Sequence, residues 1–169
     1  MRNIPLTHRL AVPAVFVLVT LYMAVANYPT LPEKIPTHFN GSGFPDAWGN
    51  LSFSNFFSLP FLQVVLYVVL AGLTWVFTKR GDIRNIINLP GKDKLTGEQL
   101  EKIRRVIING MSLLNLFTCA MLFYIQLGTI KIVRSQWAGL GPASWLFAVL
   151  IVGTCAWMLY RIFTLRKQS

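Results

Sequence analysis

The chain has 169 residues, 54% of them hydrophobic and only 13% charged, with a formal net charge of +10. Apolar runs near the ~20 residues that cross a bilayer recur along it, which excludes an ordinary soluble domain and marks an integral membrane protein. The positive charge does not point to nucleic acid, because the Lys and Arg residues gather at the ends of the apolar runs and form no basic face with stacking aromatics.

Residues 1–9 are short and basic, with Arg2, His8 and Arg9. A first span follows at about 10–27, with Pro13 in its first turns, where a missing backbone donor costs little. Ala24-Val25-Ala26 resembles a signal-peptidase site, so a cleaved signal peptide stands beside a retained first helix; the length of the apolar core favours retention. The segment Tyr28–Asn50 comes next and is taken up below. A second span covers about 56–78 and stops at Lys79-Arg80-Gly81. Within it Gln63, Tyr67 and Thr74 share one helix face.

Residues 79–105 form a charged loop. Ile83, Ile86, Ile87 and Leu89 recur at helical spacing, which predicts a short amphipathic segment lying on the lipid headgroups and ended by Pro90-Gly91. Thr96 followed by Gln99 is a capping-box pattern. It predicts one long helix from about Thr96 to Val133, with the third span proper at about 106–133. Ser112, Asn115, Cys119 and Gln126 fall on one arc of that helix. A turn with Gly139, Gly141 and Pro142 leads to the fourth span, about 143–163, with Trp145 at one end and Trp157 and Tyr160 at the other, as in an aromatic belt. Cys119 and Cys155 both lie mid-span and suggest no disulfide framework.

The expected architecture is therefore all-α: one membrane domain over 1–169 with four spanning helices, an outer loop at 28–55 and a cytoplasmic loop at 79–105. With the N-terminus inside, thirteen Lys and Arg residues fall on inner segments, Arg2, Lys79, Arg80 and Arg161 among them. Only Lys34, Lys131 and Arg134 fall on outer ones. This positive-inside asymmetry predicts a multi-pass cell-membrane protein with both termini cytoplasmic.

Tyr28–Asn50 is the longest segment that is neither apolar nor basic. Pro29, Pro32, Pro36 and Pro45 remove backbone donors, so no regular helix runs through it. Gly41, Gly43 and Gly49 permit tight turns. Among these breakers stand His38, Asn40, Asp46 and Trp48, residue types that bind or react. A loop so punctuated is expected to be ordered, and His38 and Asp46 meet if the Asn40–Gly43 turn folds back.

The pattern Leu31-Pro32, Ile35-Pro36, His38-Phe39-Asn40, Gly43, Asp46 and Trp48-Gly49 resembles the signature of the membrane domain of unknown function 1648. That domain is found at the N-terminus of SdpI-type immunity proteins, and the flanking apolar segments agree in layout. Members usually carry a Lys soon after the Trp-Gly, whereas Asn50 and Leu51 follow here. SdpI-type proteins also continue into a further multi-helix block, for which this chain is short. The resemblance implies the domain more strongly than immunity against a membrane-active peptide.

Three readings of His38, Asn40 and Asp46, with Glu33 nearby, stay open: they fix the loop's shape, recognise an external ligand, or perform chemistry. No HExxH, paired-His spacing, phosphate loop or GxSxG is present, so no metal, cofactor or catalytic residue is expected. The Gln63/Tyr67/Thr74 and Ser112/Asn115/Cys119/Gln126 faces either join helices by hydrogen bonds or line a pocket or pathway. No Asp, Glu, Lys, Arg or His lies deep in a span, which argues against an ion-coupled transporter. The expected function is a non-enzymatic, membrane-embedded binding module. Its partners are the lipid bilayer and an extracytoplasmic peptide met by outer aromatics such as Phe39, Phe44, Trp48, Phe53 and Phe56. The alternatives are an accessory subunit of a larger membrane protein and a small membrane enzyme using His38 and Asp46.

Overall fold

The computed structural model describes residues 5–79, 81 and 83–167; Arg2 and Arg80, counted above in the charge asymmetry, lie outside the described residues. Four helices are long and apolar enough to cross a membrane, the pattern of a multi-pass membrane protein. They are α1 (Leu6–Asn27), α2 (Phe53–Lys79), α3 (Gly97–Val133) and α4 (Ala143–Lys167). Helix α3 is the hub, packing against each of the other three, and α1 also packs on α2.

α3 starts where its capping box predicts. The Thr96 hydroxyl accepts from the Gln99 backbone N–H at 3.2 Å, and the Gln99 carboxamide oxygen accepts from the Thr96 N–H at 2.8 Å. Two otherwise orphaned donors are thereby satisfied. The helix then runs unbroken over 37 residues, more than a bilayer needs, so its first turns extend beyond the span. α1 begins earlier than the predicted span, at Leu6, which leaves Pro13 buried two turns inside it.

Two expectations are corrected. The four long helices bear out the helical architecture, but the Pro/Gly-rich segment is not loop alone: it holds an antiparallel hairpin, β1 (Lys34–Phe39) and β2 (Pro45–Asn50). A two-stranded sheet leaves one edge of each strand unpaired, so Pro36 and Pro45 cost it little. Ile83, Ile86 and Ile87 do not form an amphipathic helix on the headgroups. Ile83–Asn85 is a single 3-10 turn, and Ile83 and Ile87 are buried with Leu95, Leu100, Ile103, Val106, Ile107 and Leu165. The extended start of α3 offers them protein surface of its own, and full burial of each isoleucine is worth about 1.5–3 kcal/mol.

Around this cluster the basic side chains close the loop. Lys92 Nζ donates to the carbonyls of Arg84 at 2.6 Å and Ile87 at 3.2 Å. Arg84 donates to Leu95 O at 3.0 Å, and Arg166 to Pro90 O at 2.8 Å. The Gln99 carboxamide nitrogen reaches Leu165 O on α4 at 3.1 Å. Charges that the sequence reading used only for orientation also satisfy backbone carbonyls that have no ladder partner.

Candidate functional site

The hairpin is built around Asn40. Its side-chain oxygen accepts from the backbone N–H groups of Ser42 at 2.9 Å and Phe44 at 3.0 Å. Its own N–H donates to Phe44 O at 2.9 Å, while Gly43 N–H donates to Asn40 O at 2.8 Å. An Asn side chain that mimics backbone in this way is a strong turn former. Gly43 closes the turn at φ +79°, a left-handed conformation that glycine adopts without strain.

The strand register slips either side of His38, so Thr37 and Asp46 lack direct partners opposite them. These irregularities re-aim side chains, as bulges do. They bring His38 Nδ1 within 2.6 Å of Asp46 Oδ1. The two side chains are 68% and 43% exposed, so the contact is a solvated hydrogen bond, or an ion pair when the imidazole is charged. Trp48 lies opposite Pro36 and is half exposed. Gly49 leaves room for the slipped Thr37, since a Cβ there would come 2.8 Å from Thr37 Cγ2.

The hairpin's tip is tied to the far end of the chain. Leu140 N–H donates to Gly43 O at 2.8 Å, and Trp145 Nε1–H donates to Gly41 O at 2.8 Å. Gly139 allows the approach, because a Cβ on it would meet Gly43 O at 2.7 Å. The Tyr124 hydroxyl donates to Leu140 O, holding the docking loop against α3. At the hairpin's base Leu31 and Ile35 are buried with Ala24, Phe56, Phe57 and Ile130, so α1, α2 and α3 all support it. Tyr28 stacks into the same group against Phe56 and Phe57. The result is a small rigid platform held at both ends, with His38, Asp46, Trp48 and Phe44 outward. Sequence reasoning missed the docking residues Gly139, Leu140 and Trp145. The sequence marked Gly139 only as part of a turn and Trp145 only as one end of an aromatic belt, with no local signal of the docking.

The intramembrane faces divide. Gln63 is fully buried, and its nitrogen donates to Cys119 O on α3 at 2.9 Å. Tyr67 hydroxyl donates to Leu10 O on α1, and Asn115 donates to Tyr67 O, each at 3.4 Å. These bonds link helices. Thr74 and Ser112 instead donate to their own helices, at Leu70 O and Ile108 O, both 2.7 Å. The buried nitrogen of Gln126 finds no hydrogen-bond partner among the described residues, and the same holds for the buried oxygen of Gln63. Among the described residues no group of three His, Cys, Asp or Glu side chains gathers as metal ligands would.

Residues 15–64 match the family model described as Domain of unknown function (DUF1648). The matched span takes in most of α1, the whole hairpin and the first turns of α2. No curated protein and no solved structure matches the chain.

Proposed function

We propose that this chain is a membrane-embedded, non-enzymatic binding module that receives an amphipathic peptide on its hairpin. One observation carries the reading. A hairpin fixed at its tip by Leu140 and Trp145, and at its base by three helices, presents Phe44, Trp48 and the His38–Asp46 pair at one mouth of the bundle. Rigid aromatic side chains bind with little loss of conformational entropy, and a preformed surface lowers the cost of association. Peptide immunity of the SdpI kind is the use that the sequence resemblance suggests. The positive-inside asymmetry supports a cell-membrane protein with both termini cytoplasmic and the hairpin outside.

The test has two parts. With Cys119 and Cys155 changed to Ala, a cysteine at exposed Ser42 should react with an impermeant maleimide in intact cells, and one at exposed Lys94 should not. The reverse pattern defeats the orientation. Membrane-active peptides added to the purified protein should then alter the Trp48 fluorescence, and Trp48→Ala should weaken their binding about tenfold or more. Unchanged binding removes the hairpin as the receptor surface.

A second reading, an accessory subunit, is favoured by α4. Only 6% of its most apolar window is fully buried; α4 packs on α3 along one side, and exposed Val149, Val152 and Leu159 leave apolar surface for lipid or a neighbouring protein. A stoichiometric partner recovered from gently solubilised membranes, and lost with Val149→Trp, would support that reading over the first.

A further inference from the structure

The hairpin has two outer edges, and they differ. β1 packs against α3. Pro36 within it is buried and has no backbone N–H to offer. β2 is open over most of its length: Asp46, Ala47, Trp48 and Asn50 are all exposed.

The register fixes which β2 groups point outward. In an antiparallel pair, facing residues alternate between those that exchange backbone hydrogen bonds and those that exchange none. Trp48 faces Pro36. Pro36 has no donor, so this pair is of the second kind, and the N–H and C=O of Trp48 turn away from β1. Leu51 N–H donates to Glu33 O at 2.6 Å, which makes those two residues a bonded pair. The next pair along, Lys34 with Asn50, is again of the second kind, so Asn50 also turns its backbone outward. Asn50 O is already engaged, accepting from Asn55 Nδ2 at 2.9 Å. The N–H and C=O of Trp48 and the N–H of Asn50 find no partner elsewhere among the described residues.

These three groups form a donor, acceptor, donor row along an exposed strand edge, a template for pairing with another chain. Their complement is an extended backbone. A helix uses its own N–H and C=O groups internally and has none to give along its length. Trp48 is half exposed, so its ring offers apolar contact to a side chain of an added strand. A second copy of this chain fits the row less well than a peptide does. Its β2 edge repeats the same gaps, no N–H at Pro45 and an engaged carbonyl at Asn50, whereas a peptide can supply every donor and acceptor the row asks for.

We infer that the free edge of β2 receives an extended peptide segment as a third strand, held by backbone hydrogen bonds to Trp48 and Asn50. The inference rests on the peptide-binding reading and narrows it: the peptide binds as a short strand, not as a helix. Backbone bonds then supply affinity, and alternate side chains, those on the Trp48 face, supply selectivity.

The test uses the full-length protein in detergent, with backbone amides followed by NMR. The probe is acetyl-Val-Thr-Val-Thr-Val-amide, whose β-branched residues favour an extended chain. The contrast is a blocked pentapeptide of alternating leucine and α-aminoisobutyrate, which favours a helical turn. Saturating probe should slow amide exchange at Trp48 and Asn50 about tenfold or more, and change it little at Gly49, whose N–H points to β1. Asn50→Pro removes a donor that the hairpin itself does not use and should weaken the probe about three- to tenfold. Asn50→Ala keeps the N–H and should bind as wild type does. Where Asn50→Pro lowers the unfolding temperature, the exchange readout on the wild-type chain decides alone. Probe binding with unchanged exchange at Trp48 and Asn50, or tighter binding of the helical contrast, overturns strand addition and leaves the peptide surface standing. Protection of the same two amides without peptide, in a dimer that forms with rising protein concentration, transfers the edge to a second copy and also overturns it. Binding of neither peptide defeats both readings.

Discussion

At the hairpin end, Leu140, Trp145 and Asn40 hold the chain through hydrogen bonds to backbone, and the side chains that face outward are largely exposed. At the opposite end, eight buried apolar residues from the loop, α3 and α4 pack into one cluster, and basic side chains seal the carbonyls around it. Both regions begin as loops with Pro and Gly. The difference lies in what each folds onto. The basic loop meets an apolar stripe on the extended part of α3, so burial can do the holding. The hairpin carries few apolar residues to bury beyond Leu31 and Ile35, so directional bonds and close backbone approach must do it. Apolar packing tolerates small shifts, whereas a surface fixed by directional bonds keeps a defined outward shape.

The largest expected effect tests the packed end. Ile103 is fully buried, and Ile103→Ala should destabilise by about 2–5 kcal/mol, read as a lower unfolding temperature in detergent, with the hairpin's fluorescence unchanged before unfolding. Next comes the docking at the other end. Gly139→Ala drives a Cβ onto Gly43 O and should cost about 1–3 kcal/mol, together with faster amide exchange at Gly43 and Leu140. A larger loss there than at Ile103 would reverse the contrast between the two ends. Asn40→Ala removes the acceptor for two turn N–H groups, but in water-exposed surroundings; about 1 kcal/mol and a more mobile turn are expected.

The smallest effect belongs to His38 and Asp46. Both are substantially exposed, so a double-mutant cycle with His38→Gln and Asp46→Asn should give a coupling of about 0–1 kcal/mol in stability. If the pair only shapes the platform, peptide binding should fall in step with that modest loss. Abolished function at full stability in both single variants would instead move the protein toward chemistry at this pair.

Sequence alone determined the elements whose causes are local. The four apolar runs, the Thr96/Gln99 cap and the absence of breakers after it specify the helices, because periodicity and capping act within a few residues. The prolines and glycines of 28–50 excluded a helix there, yet the residue types did not dictate a hairpin, since its rungs depend on a register shifted on both sides of His38. The meeting of His38 and Asp46 was legible only as a condition on the turn, which Asn40 then supplies. Tertiary structure decided the rest. Ile83 and Ile87 fit a membrane surface and a protein surface equally well by pattern, and only the reach of α3 beyond its span offers them the latter. Gln63 and Gln126 look alike in sequence, each a lone amide in an apolar run. One finds Cys119 O across the helix pair; the buried nitrogen of the other finds no acceptor among the described residues. The docking of Gly41 by Trp145 joins residues 104 positions apart, a contact that no local pattern encodes because it exists only once the helices between them have packed.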